Sequence, residues 1–254
     1  MMTVQNDADS SEVYEKARGL AWLLPFRSIV FLAVFLTGAY ITGKETADIA
    51  NWWSVLASAV NIVTVLLIIA AARKRKTTYF ELVNIRRGQT GVKKTVLVSL
   101  GVAAVGMGCM YLAGLICYGS IMPEVSLDVI APIQVWLAAL NIIVLPATVP
   151  FAEDGLYLGC GVNGIRNRYA AVIVPAFFYA LQHCFIPTFF DGRYMLYRFL
   201  SFLPLTVLMC RYYRRKRDPV PLMIGHSVLD LATAMLIFLT SAVPGQYDKW
   251  RDMM

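Results

Sequence analysis

The chain has 254 residues, of which 58% are hydrophobic and only 15% charged. A typical soluble domain is about half apolar and roughly a quarter charged, so the composition excludes an ordinary soluble enzyme and a charge-rich disordered chain. The net charge of +7 would suit a nucleic-acid binder, but the basic residues sit in short stretches between apolar runs and build no basic domain.

The first 20 residues are polar and acidic, from Asn6 to Glu15, without the basic start, short apolar core and cleavage site of a signal peptide. Residues 1–22 therefore read as a polar segment ahead of a helix that is retained. Seven apolar runs follow, at about 23–42, 52–72, 95–118, 133–155, 169–190, 194–213 and 220–243. Each is close to the roughly 20 residues that cross a hydrocarbon core about 30 Å thick. They do not alternate, as barrel strands would. The expectation is an all-α, polytopic transmembrane helical bundle of about seven spans. Residues 23–131 supply three spans with an interfacial basic loop at 73–94, 132–243 form a four-span core, and 244–254 are a short polar tail.

Lys and Arg accumulate on the cytoplasmic side of membrane helices. Here they cluster at Arg73-Lys74-Arg75-Lys76 through Lys94, at Arg166 and Arg168, and at Arg211 through Arg217, three loops that share one side if the spans number seven. The N-terminus is accordingly expected in the cytoplasm and the C-terminus outside. Within the first basic loop, residues 77–87 mix Tyr79, Phe80, Leu82, Val83 and Ile85 with charges, a pattern that suits a short amphipathic helix on the inner surface. The five cysteines form no CxxC pair and read as small buried apolar residues.

The fourth run contains Pro146 and Pro150. If its helix resumes as far as about Gly161, Glu153 lies within the membrane. Five residues of acid or imidazole type then fall inside apolar runs: Glu153, Asp154, His183, His226 and Asp230. Such groups are costly in a bilayer and mark pockets, pairs or chemistry. His226 and Asp230, four apart, share one helix face. If three helices bring the five together, a carboxylate and an imidazole can hold a water and move its proton, and a second imidazole can donate to an oxyanion. That is the outfit for amide hydrolysis. The same residue types also bind divalent metals such as zinc, although the HExxH spacing is absent, and proton-coupled transporters keep buried acids too. Arg198 in the sixth run reads as a residue that snorkels outward or neutralises a carboxylate.

Three pieces occur in order: Glu153-Asp154 at the end of an apolar helix, Tyr179-Ala-Leu-Gln-His183, and His226-Ser-Val-Leu-Asp230. They resemble the EExxxR, FxxxH and HxxxN/D motifs of the intramembrane CAAX-protease and bacteriocin-processing family, which includes the type II CAAX prenyl endopeptidase, over about residues 132–243. The resemblance implies a membrane-embedded protease. It assigns Glu153 as the water-activating base, His183 as its assistant, and His226 and Asp230 to the oxyanion or to organising the site, with Asp154 and Tyr179 in support. It implies glutamic-type hydrolysis that needs no cofactor, with a metal such as zinc as the open alternative. The expected partners are a peptide or membrane-protein substrate, lipidated or not, and the lipid bilayer, with no nucleic acid. The expected location is a plasma membrane, as for the family's many bacterial members. Asp154 replaces the second glutamate, Tyr179 the phenylalanine, and Leu158 the arginine. Arg166, Arg168 and Arg198 are the candidate substitutes for that arginine, although nothing in the sequence places them at the site. The rival readings are a degenerate member acting as a membrane binding or immunity protein, and a small-solute transporter, for which matched half-repeats are not evident.

Overall fold

Inside a bilayer, backbone polar groups are satisfied only within helices or closed barrels. The computed structural model describes residues 12–254, and among these it is helical without a β-strand. The polar N-terminal segment expected over 1–22 lies partly outside the described residues. A 3-10 turn (Leu20–Leu23) leads into α1 (Phe26–Thr42), and another (Ala47–Trp52) into α2 (Trp53–Lys74). Then come α3 (Tyr79–Val83), α4 (Val92–Tyr118), a 3-10 segment (Glu124–Ile130) and α5 (Val135–Asp154). A π-helix (Gly155–Val162) continues α5. It is followed by α6 (Ala170–Gln182), α7 (Gly192–Lys216), α8 (Val220–Ala242) and the short α9 (Gln246–Arg251).

Among the described residues, five segments are long and apolar enough to cross a membrane: Leu20–Thr42, Ala47–Lys74, Val92–Tyr118, Val135–Val162 and Val220–Ala242. The other two apolar runs are helices as well. However, α6 has only 13 residues, and the 25-residue α7 carries Arg193, Arg198 and a basic last turn. Large apolar side chains such as Leu66, Leu100, Ile143 and Ile173 stand exposed on the flanks, as a hydrocarbon surround allows and water does not. The chain is an all-α, multi-pass integral membrane protein.

At the centre, α5 packs against α8 and α2, while α7 packs against α4 and α6. A bilayer offers no hydrophobic drive between helices, so small and polar residues hold them together. Along the α2–α5 seam, Asn141 Nδ2 donates to Ser54 Oγ (2.9 Å) and Asn61 Nδ2 to Thr148 Oγ1 (3.1 Å).

The three basic loops meet at one end of the bundle. Asn84 Nδ2 and Gln89 Nε2 both donate to the Arg217 carbonyl, Arg217 reaches Asn163, and Lys94 pairs with Asp218 at 2.6 Å. The segment expected as a free amphipathic surface helix is the five-residue α3, closed by a Thr78–Glu81 capping box. The Thr78 amide, the Thr78 and Thr77 hydroxyls and Lys16 hold the Glu81 carboxyl down to about 2. Its apolar face turns to protein rather than to lipid: Tyr79, Leu82 and Val83 are buried, and the Tyr79 hydroxyl donates to the Phe151 carbonyl at 2.7 Å. Gly155 makes this docking possible, since a Cβ there would lie 2.5 Å from the Tyr79 hydroxyl. All five cysteines are free, and Cys160, Cys184 and Cys210 are buried.

Candidate active site

Glu153 and Asp154 close α5 where it turns into the π-helix, well inside the Val135–Val162 segment. The helix does continue past the two prolines, so Glu153 is interior rather than at the rim. π-Helical turns are rare and concentrate at functional sites. Adjacent residues on a helix point about 100° apart, so the two carboxylates meet different partners.

Glu153 is almost fully buried. Its Oε1 accepts from an Arg27 terminal nitrogen of α1 at 2.7 Å, and its Oε2 accepts from Gln182 Nε2 of α6 at 2.8 Å. The same Oε2 lies 4.0 Å from His183 Nε2 and 3.9 Å from His226 Nε2. On α6, Tyr179, Gln182 and His183 stand at i, i+3 and i+4 and share one face. His183 is the C-cap of that helix. Its Nδ1 is 2.9 Å from the Tyr179 carbonyl oxygen and donates to it, which leaves Nε2 as an acceptor towards Glu153. The ring is fixed from behind by stacking on Phe202 of α7, with centroids 3.4 Å apart.

Asp154 faces the other way. Its Oδ1 accepts from the Tyr179 hydroxyl at 2.9 Å, and Tyr179 in turn is 3.0 Å from His226 Nδ1. The Asp154 Oδ2 is 3.4 Å from the same imidazole nitrogen. With the Tyr179 hydroxyl proton directed at Asp154, the His226 Nδ1–H donates to the tyrosine oxygen. His226 Nε2 then points into the space shared by Glu153 and by Asp230, whose Oδ2 is 3.6 Å away. That Asp230 oxygen is buried without a hydrogen-bond partner among the described residues. The six residues singled out from the sequence (Glu153, Asp154, Tyr179, His183, His226 and Asp230) thus converge in one cluster.

Three more residues complete it that the sequence reading passes over: Arg27, Tyr157 and Gln182. Arg27 is fully buried, donates also to Thr64 Oγ1 (3.2 Å) and Gln182 Oε1, and lies over the Phe31 ring. Tyr157 of the π-helix donates to Gln182 Oε1 (3.2 Å) and stacks on Tyr179. The cations named as candidate substitutes for the motif arginine do not take its place. Arg166 and Arg168 are exposed. Arg198 neither snorkels nor meets a carboxylate: it is buried and donates to the carbonyls of His183 (3.4 Å) and Ile186 (2.9 Å), capping the end of α6.

Two ligand atoms of a tetrahedral zinc, each about 2.0–2.2 Å from the ion, stand about 3.4 Å apart. Glu153 Oε2 is farther than that from both imidazoles, and its other oxygen is taken by a guanidinium. Among the described residues no group of three or more His, Cys, Asp or Glu is arranged to hold a metal ion. The donor set as it stands does not fit one.

Comparison with known proteins bears on the class. Residues 135–232 match the family model described as type II CAAX prenyl endopeptidase Rce1-like. The matched segment opens at the first residue of α5 and closes within α8, two residues beyond Asp230, and it is the family that the three motifs resemble. The match points to an intramembrane endopeptidase of the CAAX-protease type. Neither the comparison with curated proteins nor that with solved structures finds a match.

Proposed function

We propose that this chain hydrolyses peptide bonds within the membrane, using a water activated by Glu153 and His183. The observation that carries this reading is the placement of Glu153 Oε2 at 4.0 and 3.9 Å from the Nε2 atoms of His183 and His226. These distances are too long for direct hydrogen bonds. They suit one bridging oxygen at about 2.8 Å from Glu153 and His183, with an angle of about 90° at that oxygen.

Glu153 takes one proton from the water while His183 Nε2 accepts a hydrogen bond from the other. The oxygen attacks the scissile carbonyl, whose oxyanion is met by the Nε2–H of His226, which acts as an imidazolium with its Nδ1 proton still on the Tyr179 side and Asp154 and Asp230 as its flanking carboxyl groups. Glu153 then returns its proton to the leaving nitrogen as the C–N bond breaks, giving a free acid and a free amine. The Asp154–Tyr179–His226 chain sets the ring orientation of His226. We assign Asp230 to the far side of the same imidazole, where it steadies the oxyanion donor. No metal takes part in this scheme.

The substrate is a peptide or membrane-protein segment entering from the bilayer, and the family's name makes a prenylated CAAX tail the first to try. The basic end of the bundle is the cytoplasmic end on this reading. The test is mass spectrometry of a prenylated CAAX peptide incubated with the purified chain in oxygen-18 water. A new carboxylate carrying one heavy oxygen is expected. No cleavage by folded wild-type protein overturns the proposal.

A further inference from the structure

At position 158, where the family motif has an arginine, this chain has Leu158. We propose that Arg27 of α1 is the positioning residue for Glu153 in this chain, where position 158 offers no cation. The inference rests on the reading of Glu153 as the base.

Arg27 is a fully buried cation in an otherwise apolar run, and such a residue in a bilayer demands partners. It has three, each on a different helix: Thr64 on α2, Glu153 on α5 and Gln182 on α6. Three contacts in three directions fix the guanidinium, and the guanidinium fixes the carboxylate. Because Gln182 Oε1 accepts from Arg27 and from Tyr157, its Nε2 must point the other way, at Glu153 Oε2. One lone pair of Oε2 is thereby occupied and the other is turned towards the two imidazoles. Arg27 thus acts on Glu153 twice, directly at Oε1 and through Gln182 at Oε2.

The packing shows how Arg27 is brought to the carboxylate. Leu158 is fully buried in the cluster that also holds Leu20, Leu23 and Leu24. These leucines form the turn that enters α1, and Leu24 comes so close to the π-helix that a Cβ on Gly161 would lie 2.9 Å from its Cδ2. A guanidinium at 158 would be fully buried among the apolar and aromatic side chains of this cluster. With leucine there, the entering turn beds on the π-helix and delivers Arg27, three residues after Leu24, to the carboxylate. The working unit therefore extends beyond the matched residues 135–232 to include α1.

The test uses the purified full chain in detergent micelles, with a quenched prenylated CAAX peptide as probe. Displacement of a catalytic group by about 1 Å can cost about a hundredfold in rate. Arg27→Gln is therefore expected to lower kcat by about that factor, with KM within about threefold. Arg27→Lys keeps a point charge but loses the forked contact, and should recover part of kcat. In parallel, Arg27→Gln and Glu153→Gln should each lower the melting temperature, while the double variant falls no further than the worse single one. If Arg27→Gln does not fold, Arg27→Lys carries the kinetic arm. Wild-type kcat in Arg27→Lys and in any folded Arg27→Gln, with Glu153→Gln inactive, overturns the inference and leaves the reading of Glu153 standing. A loss confined to KM overturns it as well, as do additive melting shifts. A folded wild-type chain that cleaves nothing overturns the reading of Glu153 and the inference together.

Discussion

Replacing Tyr179 with phenylalanine removes one oxygen atom and little else. The ring stays stacked on Tyr157 at 4.4 Å, and phenylalanine is the residue the family motif carries there, so no cavity and no clash are introduced. The lost hydroxyl donates to Asp154 Oδ1 at 2.9 Å and meets His226 Nδ1 at 3.0 Å. Asp154 is fully buried, and a buried acceptor left without its donor costs about 1–3 kcal/mol. The expected stability loss lies in that range, read as a drop of several degrees in melting temperature. The Nδ1 of His226 is left with the 3.4 Å contact to Asp154 alone, so the oxyanion donor is less well aimed. A loss of about 1.4–2.8 kcal/mol in the transition state is about 10- to 100-fold in kcat, with KM little changed. Scanning fluorimetry and steady-state cleavage on the same preparation measure both. A Tyr179→Phe protein as stable and as fast as wild type would refute the Asp154–Tyr179–His226 chain as an orienting device.

Three further outcomes follow from other parts of the molecule. Asp128, in the loop between α4 and α5, is pushed up to about 6 by burial and by the neighbouring Glu124, against the pull of Arg198. The unfolded carboxyl titrates near 3.8, so between about pH 4 and 6 the unfolded chain releases this proton first. Stability therefore falls as the pH rises through that window and levels off above it. Asp128→Asn should flatten the fall and raise the melting temperature at pH 7, and an unchanged pH profile would count against it. Asp230→Asn, which keeps a polar group beside His226, should retain kcat within about threefold, whereas Asp230→Leu should lose about tenfold or more; equal rates for the two would remove Asp230 from the site. A reporter fused after Met254 should lie on the non-cytoplasmic side, and a cytoplasmic signal would reverse the assigned orientation.

Much of this was legible in the residues because a bilayer sorts charge so severely. Apolar runs of about 20 residues announce the helices, and the acids and histidines left inside them announce the pocket. Spacing does the rest where it acts within one helix, as for His226 and Asp230 or for Tyr179 and His183. What spacing does not carry is contact between distant helices. Arg27 stands near the start of the first run, where a cation reads as an ordinary end-of-span anchor, and 126 positions separate it from Glu153. The available signal was its place inside an apolar run, the same one that exposes the acids. Gln182 is neutral and adjacent to a motif histidine, so nothing marks it. The π-helix leaves no periodic trace either, although Gly155, Gly159 and Gly161 hint at close backbone approach. Residues 77–87 look amphipathic to any periodicity measure, yet their apolar side meets the π-helix rather than lipid because Gly155 and Gly159 let it in.

The most direct test of the central claim is the cleavage rate of purified Glu153→Gln beside wild type on a prenylated CAAX peptide, each with and without a strong chelator. The amide keeps the shape of the side chain but cannot accept a proton from water. The account predicts wild-type cleavage that persists in chelator and a Glu153→Gln protein that folds but falls by about a thousandfold or more. Glu153→Gln turning over at the wild-type rate would contradict it.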